Sequence, residues 1–270
     1  MTAFFHHFRY DFRTGLRDKS LLLLVYLFPI GFYAMMGLLM TRLNPSFVPT
    51  MIPAMILVAV MACTLLGLPN PIVEAREAGI FRSFKINGVP ALSIVAIPVL
   101  SSLVHVVLVS SIITFTAGPL FQAGMPTHWG YFGLILLATI FCMASLGVLI
   151  GVVSPSSRAI VLFSQSIFLP SMMLGGLTIP SGMLPEALYR ISLLLPTTYA
   201  MNAWSGLAFG LPTPLEPAWG LVILAASGVI AFFMAVYLYN WDTRTQRRGR
   251  NPLLALAALV PYVAGALFLA

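Results

Sequence analysis

The sequence predicts an all-α integral membrane protein, and three observations carry that prediction. Of its 270 residues 60% are hydrophobic and 8% charged, with a mean hydropathy of +0.98, far outside the range of soluble domains. Its 14 Lys and Arg and 7 Asp and Glu collect in a few short stretches. Between those stretches run charge-free intervals long enough for helices of about 20 residues, the length that crosses the hydrocarbon. Little soluble mass remains. No segment can fold as a nucleotide-binding domain, and no G-x-x-x-x-G-K-[ST] phosphate loop occurs, so energy from ATP has to come from another polypeptide. Cys63 and Cys142 lie in apolar runs, match no metal or disulfide pattern, and read as small core residues.

Residues 2–19 place Phe4, Phe8, Phe12 and Leu16 four apart, with His7, Arg9, Asp11, Arg13 and Arg17 on the remaining faces. This is the pattern of an interfacial amphipathic helix. It serves as a plain anchor or meets a cytoplasmic partner with its basic side. The first span then lies near 20–40 and the second near 51–68, bounded by Lys19, Arg42 and Glu74. No charge stands between Lys85 and Arg158, which leaves room for spans at 92–117 and 131–153, with Gly118, Pro119, Gly124 and Pro126 marking the turn between them. The fifth span is near 159–174 and the sixth near 218–239. Pro252 to Ala270 is a seventh candidate, short and flanked by a basic run. With the N-terminus cytoplasmic, all basic residues except Arg42 and Arg190 fall on the inner side, as the positive-inside rule requires. A seventh crossing would put the C-terminus outside.

Two connecting segments are not plain loops. Glu74 to Pro90 carries Glu74, Arg76, Glu77, Arg82 and Lys85 together with Phe81 and Phe84. The spacing predicts one short helix over 74–88 with Glu74, Glu77 and Phe81 on one face and Ile80 and Phe84 on another, ending at Asn87-Gly88. A mixed-charge helix with two exposed aromatics suits a protein groove; a solvated helix with lipid-facing phenylalanines is the alternative. Pro170 to Pro217 is too Pro-rich for a span and too apolar for an external domain. It reads as re-entrant half-helices, near 186–195 and 199–209, because irregular backbone at membrane depth survives only where protein or a water-filled cavity covers it. Glu186 and Arg190, four apart, are placed to pair. A simple cap over the bundle is the plainer reading of this segment.

These features in this order resemble the ABC-2 family of ATP-binding-cassette transporter permeases over about residues 1–240. Glu74 to Pro90 is similar to the family's coupling segment. Leu174 to Tyr199, LGGLTIPSGMLPEALYRISLLLPTTY, looks like its pattern of small residues, "IP", a second Pro before a short helix and a closing "P-x-x-Y". The resemblance implies a six-span, type V exporter-like bundle, with a connecting helix at 1–19 and a transmembrane domain at 20–240 that includes coupling helix 74–88 and re-entrant segment 175–217. The basic loop and additional span at 241–270 depart from that six-span pattern. The resemblance further implies a cell-membrane permease that exports its substrate; the methionines and many phenylalanines of the spans fit an amphipathic, drug-like or lipid-like substrate better than an ion or a sugar. The partners would be a second permease copy or a related permease, membrane lipids, and two copies of a separate ABC ATPase subunit that holds the ATP and Mg. No nucleic acid and no cofactor in this chain are implied. Coupling would fall to Glu74, Arg76, Glu77, Gly79, Phe81, Arg82, Phe84 and Lys85, and an outer gate to Gly175, Gly176, Pro180, Glu186, Arg190, Pro196 and Tyr199.

His105 is the one ionisable residue inside a main span, a pathway group or a packed, hydrogen-bonded one. The absence of mid-span Asp, Glu, Lys and Arg argues against proton or sodium coupling, since such charges mark ion pathways. Methionines such as Met35, Met55, Met61 and Met173 offer an adaptable apolar lining. Two other classes compete. A secondary transporter or channel would want a charged midplane site or an inverted repeat. A lipid-modifying enzyme would want a nucleophile beside a base or a pair of carboxylates; Glu74 and Glu77 instead sit among cations, as on a docking surface.

Overall fold

Each charge-free interval of the sequence becomes helix, because a chain in hydrocarbon can satisfy its backbone N–H and C=O groups only within itself. The computed structural model describes Arg9 and residues 19–179, 181–239 and 251–269. The expected N-terminal interfacial helix, the Arg244 to Arg250 basic run and Pro180 lie outside the described residues. Helix α1 is Lys19–Leu22, a wider π turn at Leu23–Leu27, and Phe28–Leu43. Helix α2 is Met51–Met61, a second π turn at Ala62–Gly67, and Pro69–Glu77. Then come the short α3 (Ile80–Ile86), α4 (Ala91–Phe121), α5 (Trp129–Val153) and α6 (Ser157–Leu174). The segment expected to be re-entrant holds α7 (Glu186–Ser192) and α8 (Pro196–Ala203, prolonged by a π turn at Trp204–Ala208). Helix α9 is Pro217–Leu238. Six helices are long and apolar enough to cross a membrane, and there is no strand among the described residues.

The six long helices run up and down, so their connections collect at two ends. One is basic, with Lys19, Arg82, Lys85 and Arg158; the other is proline-rich, with Pro45–Thr50, the 122–128 turn and the 175–216 segment. At the centre stand α2, 89% buried along its apolar window, and α5, 83%. The outer helix α6 is only 22% buried, the expected state of a helix that meets lipid or another subunit. Bringing two central helices into backbone contact needs residues without side chains. A Cβ on Gly147 would fall on the Thr64 carbonyl, and one on Gly151 would lie 3.0 Å from Pro69 O. Gly147 and Gly151, four apart on α5, are thus a small-xxx-small seam. On the other flank of α5, Gly228 of α9 packs with its Cβ position 2.9 Å from the Cys142 Cα.

The seventh candidate forms 3-10 helix over Pro252–Leu259 and then α10, Val260–Phe268. At the rises of these two helix types the segment spans about 30 Å, the depth of the hydrocarbon. It runs antiparallel to α9: Ser227 Oγ donates to Ala258 O at 2.8 Å, and Gly265 lies against Ile223, one turn nearer the proline-rich end.

Candidate coupling turn and re-entrant segment

At the basic end the structure corrects the expected single helix over 74–88. Gly79 has φ +72°, in the left-handed region, so α2 stops at Glu77 and α3 starts in a new direction. Glu74 and Glu77 therefore belong to the end of α2, both exposed, with Asn70 Nδ2 donating to Glu74 Oε1 at 2.8 Å. Phe81 does not share an outer face with them. It is buried, 5.4 Å from the Tyr239 ring and 6.4 Å from the half-buried Phe84. The two exposed aromatics expected of this turn are replaced by two aliphatics, Ile80 at 46% and Ile86 at 79% exposure, beside exposed Arg82 and Lys85.

Arg76 also departs from expectation. It is 5% exposed, and its guanidinium donates to Val152 O at 2.8 Å, to Gly151 O at 3.5 Å and to Ser154 O. These are carbonyls at the C-terminus of α5, left without intrahelical partners and carrying the negative end of the helix dipole, where a cation is favoured. A side chain so enclosed presents nothing to a docking subunit.

At the opposite end, Gly175, Gly176, Pro196 and Tyr199 are brought together while Glu186 and Arg190 are not. A Cβ on Gly175 would strike Thr197 Oγ1, and Gly176 has φ +81°, so the end of α6 turns tightly against α8. Proline opens α8 at Pro196, in its first turn, where no hydrogen bond is lost. Tyr199 is fully buried, its carbonyl close under Gly220 and its ring stacked on Tyr262 at 5.7 Å, so it is a packing anchor of the dip. From there the chain climbs back: Trp204 Nε1 donates to Phe132 O at 3.3 Å, and Thr127 N and His128 N both donate to Ala208 O. Glu186 and Arg190 form the expected i,i+4 ion pair at 2.7 Å, with side chains 78% and 69% exposed. Solvent screens such a pair. Glu186→Gln is therefore expected to move stability by less than about 0.5 kcal/mol, read as an unchanged melting temperature in detergent.

Between the Pro45–Thr50 turn, the 175–182 segment, α7, α8 and the 212–215 loop lies a cavity of about 350 Å³ whose lining includes Thr50, Tyr189, Thr198, Asn202, Ser205 and Thr213 and no charged side chain. The strap over it is held by Asn202, whose amide donates to Leu215 O at 3.0 Å and accepts from Leu215 N at 3.3 Å. No sequence pattern pointed to Asn202, because its partner is a backbone group beyond the next turn. His105 is buried, its Nδ1 2.6 Å from the Tyr26 hydroxyl. Hydroxyls of Ser102, Ser111 and Thr114 bond carbonyls of their own helix. Met55 and Met61 are buried in the core, whereas Met35 and Met173 stand exposed.

This topology, with a charged turn after the second span and a glycine- and proline-bounded dip after the fifth, coincides with a match to the sequence profile described as ABC-2 type transporter over residues 2–209. The chain belongs to the ABC-2 type transporter family. It is thus a multi-pass permease subunit of an ABC transporter, of a family that carries no ATPase motifs of its own and generally works with an ABC ATPase partner. No curated protein and no solved structure matches the chain. The ABC-2 match includes α1 through α8, hence both the charged turn after α2 and the glycine- and proline-bounded segment after α6; α9 and the Pro252–Phe268 segment follow it.

Proposed function

We propose that this permease exports an amphipathic, drug-like or lipid-like substrate, driven by a separate ABC ATPase that seats on the basic end. The carrying observation is the surface of the turn after α2: two exposed isoleucines, Ile80 and Ile86, stand among exposed Glu74, Glu77, Arg82 and Lys85. Aliphatics ringed by both signs of charge fit a protein groove better than water or headgroups. On this reading two ATPase copies, with ATP and Mg, act on two permease chains, the basic end is cytoplasmic and the C-terminus is external. The exposed faces of α1 and α6 suit a second permease, and the uncharged lining of the proline-rich cavity supports an amphipathic cargo over an ion. Gly175, Gly176 and the α7–α8 dip would close the outer side, with Tyr199 fixing its depth.

A pull-down of the tagged permease tests this. The double variant Glu77→Ala, Arg82→Ala should insert normally and retain about tenfold less ATPase, a loss of about 1.4 kcal/mol. Undiminished retention and undiminished coupling of hydrolysis to transport would count against the docking surface. Transport by the purified chain with no ATPase present would overturn the reading.

A further inference from the structure

Arg76, set aside above as a docking residue, has a different use. Three facts converge on it. Its guanidinium spans carbonyls of Gly151, Val152 and Ser154, so it is bonded to the end of α5 and into the turn that leads to α6. Gly151 and Gly147 hold that same stretch of α5 at backbone distance from Pro69 and Thr64 of α2. And α6 begins only three residues after α5 ends, its first turn capped by Ser156 Oγ accepting from Ala159 N at 3.4 Å. Arg76 itself lies three residues before Gly79, the hinge into α3.

We propose that Arg76 is the positioning residue that carries displacement of the coupling turn into the α5–α6 turn, so that α6 moves together with α3. The physical ground is the cost of separation. At 5% exposure neither the guanidinium nor the carbonyls it bridges have water to turn to, and parting them leaves a buried cation and orphaned acceptors together. Charge-assisted bonds from one planar fork to several carbonyls also fix direction, which a single hydrogen bond does not. A push on α3 is therefore passed on as a rigid-body movement of the α2 end with the α5 end, and α6 follows through its three-residue tether. At its far end α6 closes on the re-entrant dip, where Gly175 meets Thr197. The route from the basic end to the proline-rich end thus runs along α6, which only 22% burial ties to the rest of the chain.

This rests on the coupling reading above, and the test separates the two. Spin labels are placed at the exposed positions Ser83 on α3 and Arg158 at the start of α6, in the permease purified with the ATPase that co-isolates from native membranes. Distances are measured without nucleotide and with trapped nucleotide. Cys63 and Cys142 are buried and stay unlabelled. In the wild-type chain the Ser83 to Arg158 separation should hold within about 2 Å across the two states, the scale of helix shifts within a packed unit. In Arg76→Met it should change by about 5 Å, the scale of a one-turn slip, with ATPase retention unaltered because Arg76 does not reach the docking face. Arg76→Lys keeps the charge but loses the fork, serves if the Met variant does not fold, and should also release α6. A wild-type separation that changes as much as the variant's, or a folded variant that holds it fixed, overturns the role of Arg76. Failure of any ATPase to co-isolate with the wild-type permease overturns the coupling reading instead.

Discussion

Gly147→Ala should be among the most damaging single-methyl additions in this protein, costing about 3 kcal/mol, the upper end of overpacking penalties. The neighbour its Cβ would meet is the carbonyl of Thr64, and backbone cannot rotate away as a side chain would. The Thr64 carbonyl belongs to the π turn Ala62–Gly67, and the Thr64 hydroxyl is already bonded to Val60 O at 2.7 Å. Relief would have to come from moving α2 off α5, which would loosen the whole buried centre of the bundle, the Gly151 contact and the Arg76 cap included. Gly133→Ala on the same helix is the control: nothing lies within 4 Å of its Cβ position, so the substitution should be neutral or gain up to about 1 kcal/mol of helix propensity. Thermal unfolding of the two variants in detergent, followed by size exclusion, should differ by many degrees. Equal melting temperatures would show that α2 and α5 do not touch at this seam.

Tyr262→Ala is expected to lower stability by about 3 kcal/mol, near the cost of emptying a buried aromatic site. The ring is fully buried between Tyr199 and the bundle, and its hydroxyl lies 3.1 Å from Cys142 Sγ. Inside a membrane there is no water-driven gain to forfeit, so the loss comes from dispersion contacts and from the void left behind. Tyr262→Phe removes only the hydroxyl and should cost about 1 kcal/mol. The segment Pro252–Phe268 should then detach from α9 in the Ala variant, and Cys142, shielded in the wild type, should react with a membrane-permeant maleimide. Unchanged melting together with unreactive Cys142 would mean that the segment does not pack against Tyr199.

Span positions were legible because the constraint behind them is one-dimensional. A charge costs several kcal/mol at the bilayer centre, so the distance from Lys85 to Arg158 demands two helices, and α4 and α5 start within a residue or two of expectation. The break after the fifth span was legible for a related reason: prolines and glycines at 175–217 rule out a continuous span, and only the short helices α7 and α8 form there. The roles of Arg76 and Phe81 were not. Counting placed both on an exposed turn, since a count of charges and aromatics carries no information about direction. The left-handed backbone at Gly79 turns Phe81 inward, and the acceptors of Arg76 lie 75 to 78 positions away.

What the amino-acid order alone determined is therefore where the six main spans lie and which end is basic, both consequences of keeping charge and unpaired backbone out of hydrocarbon, while a seventh crossing was left open. Which small residues let α2 and α5 meet, which tyrosines lock the final segment to the dip, and which cation turns inward were decided only in three dimensions. Those outcomes depend on groups far apart in the chain whose packing and hydrogen bonds become possible only once the helices have assembled.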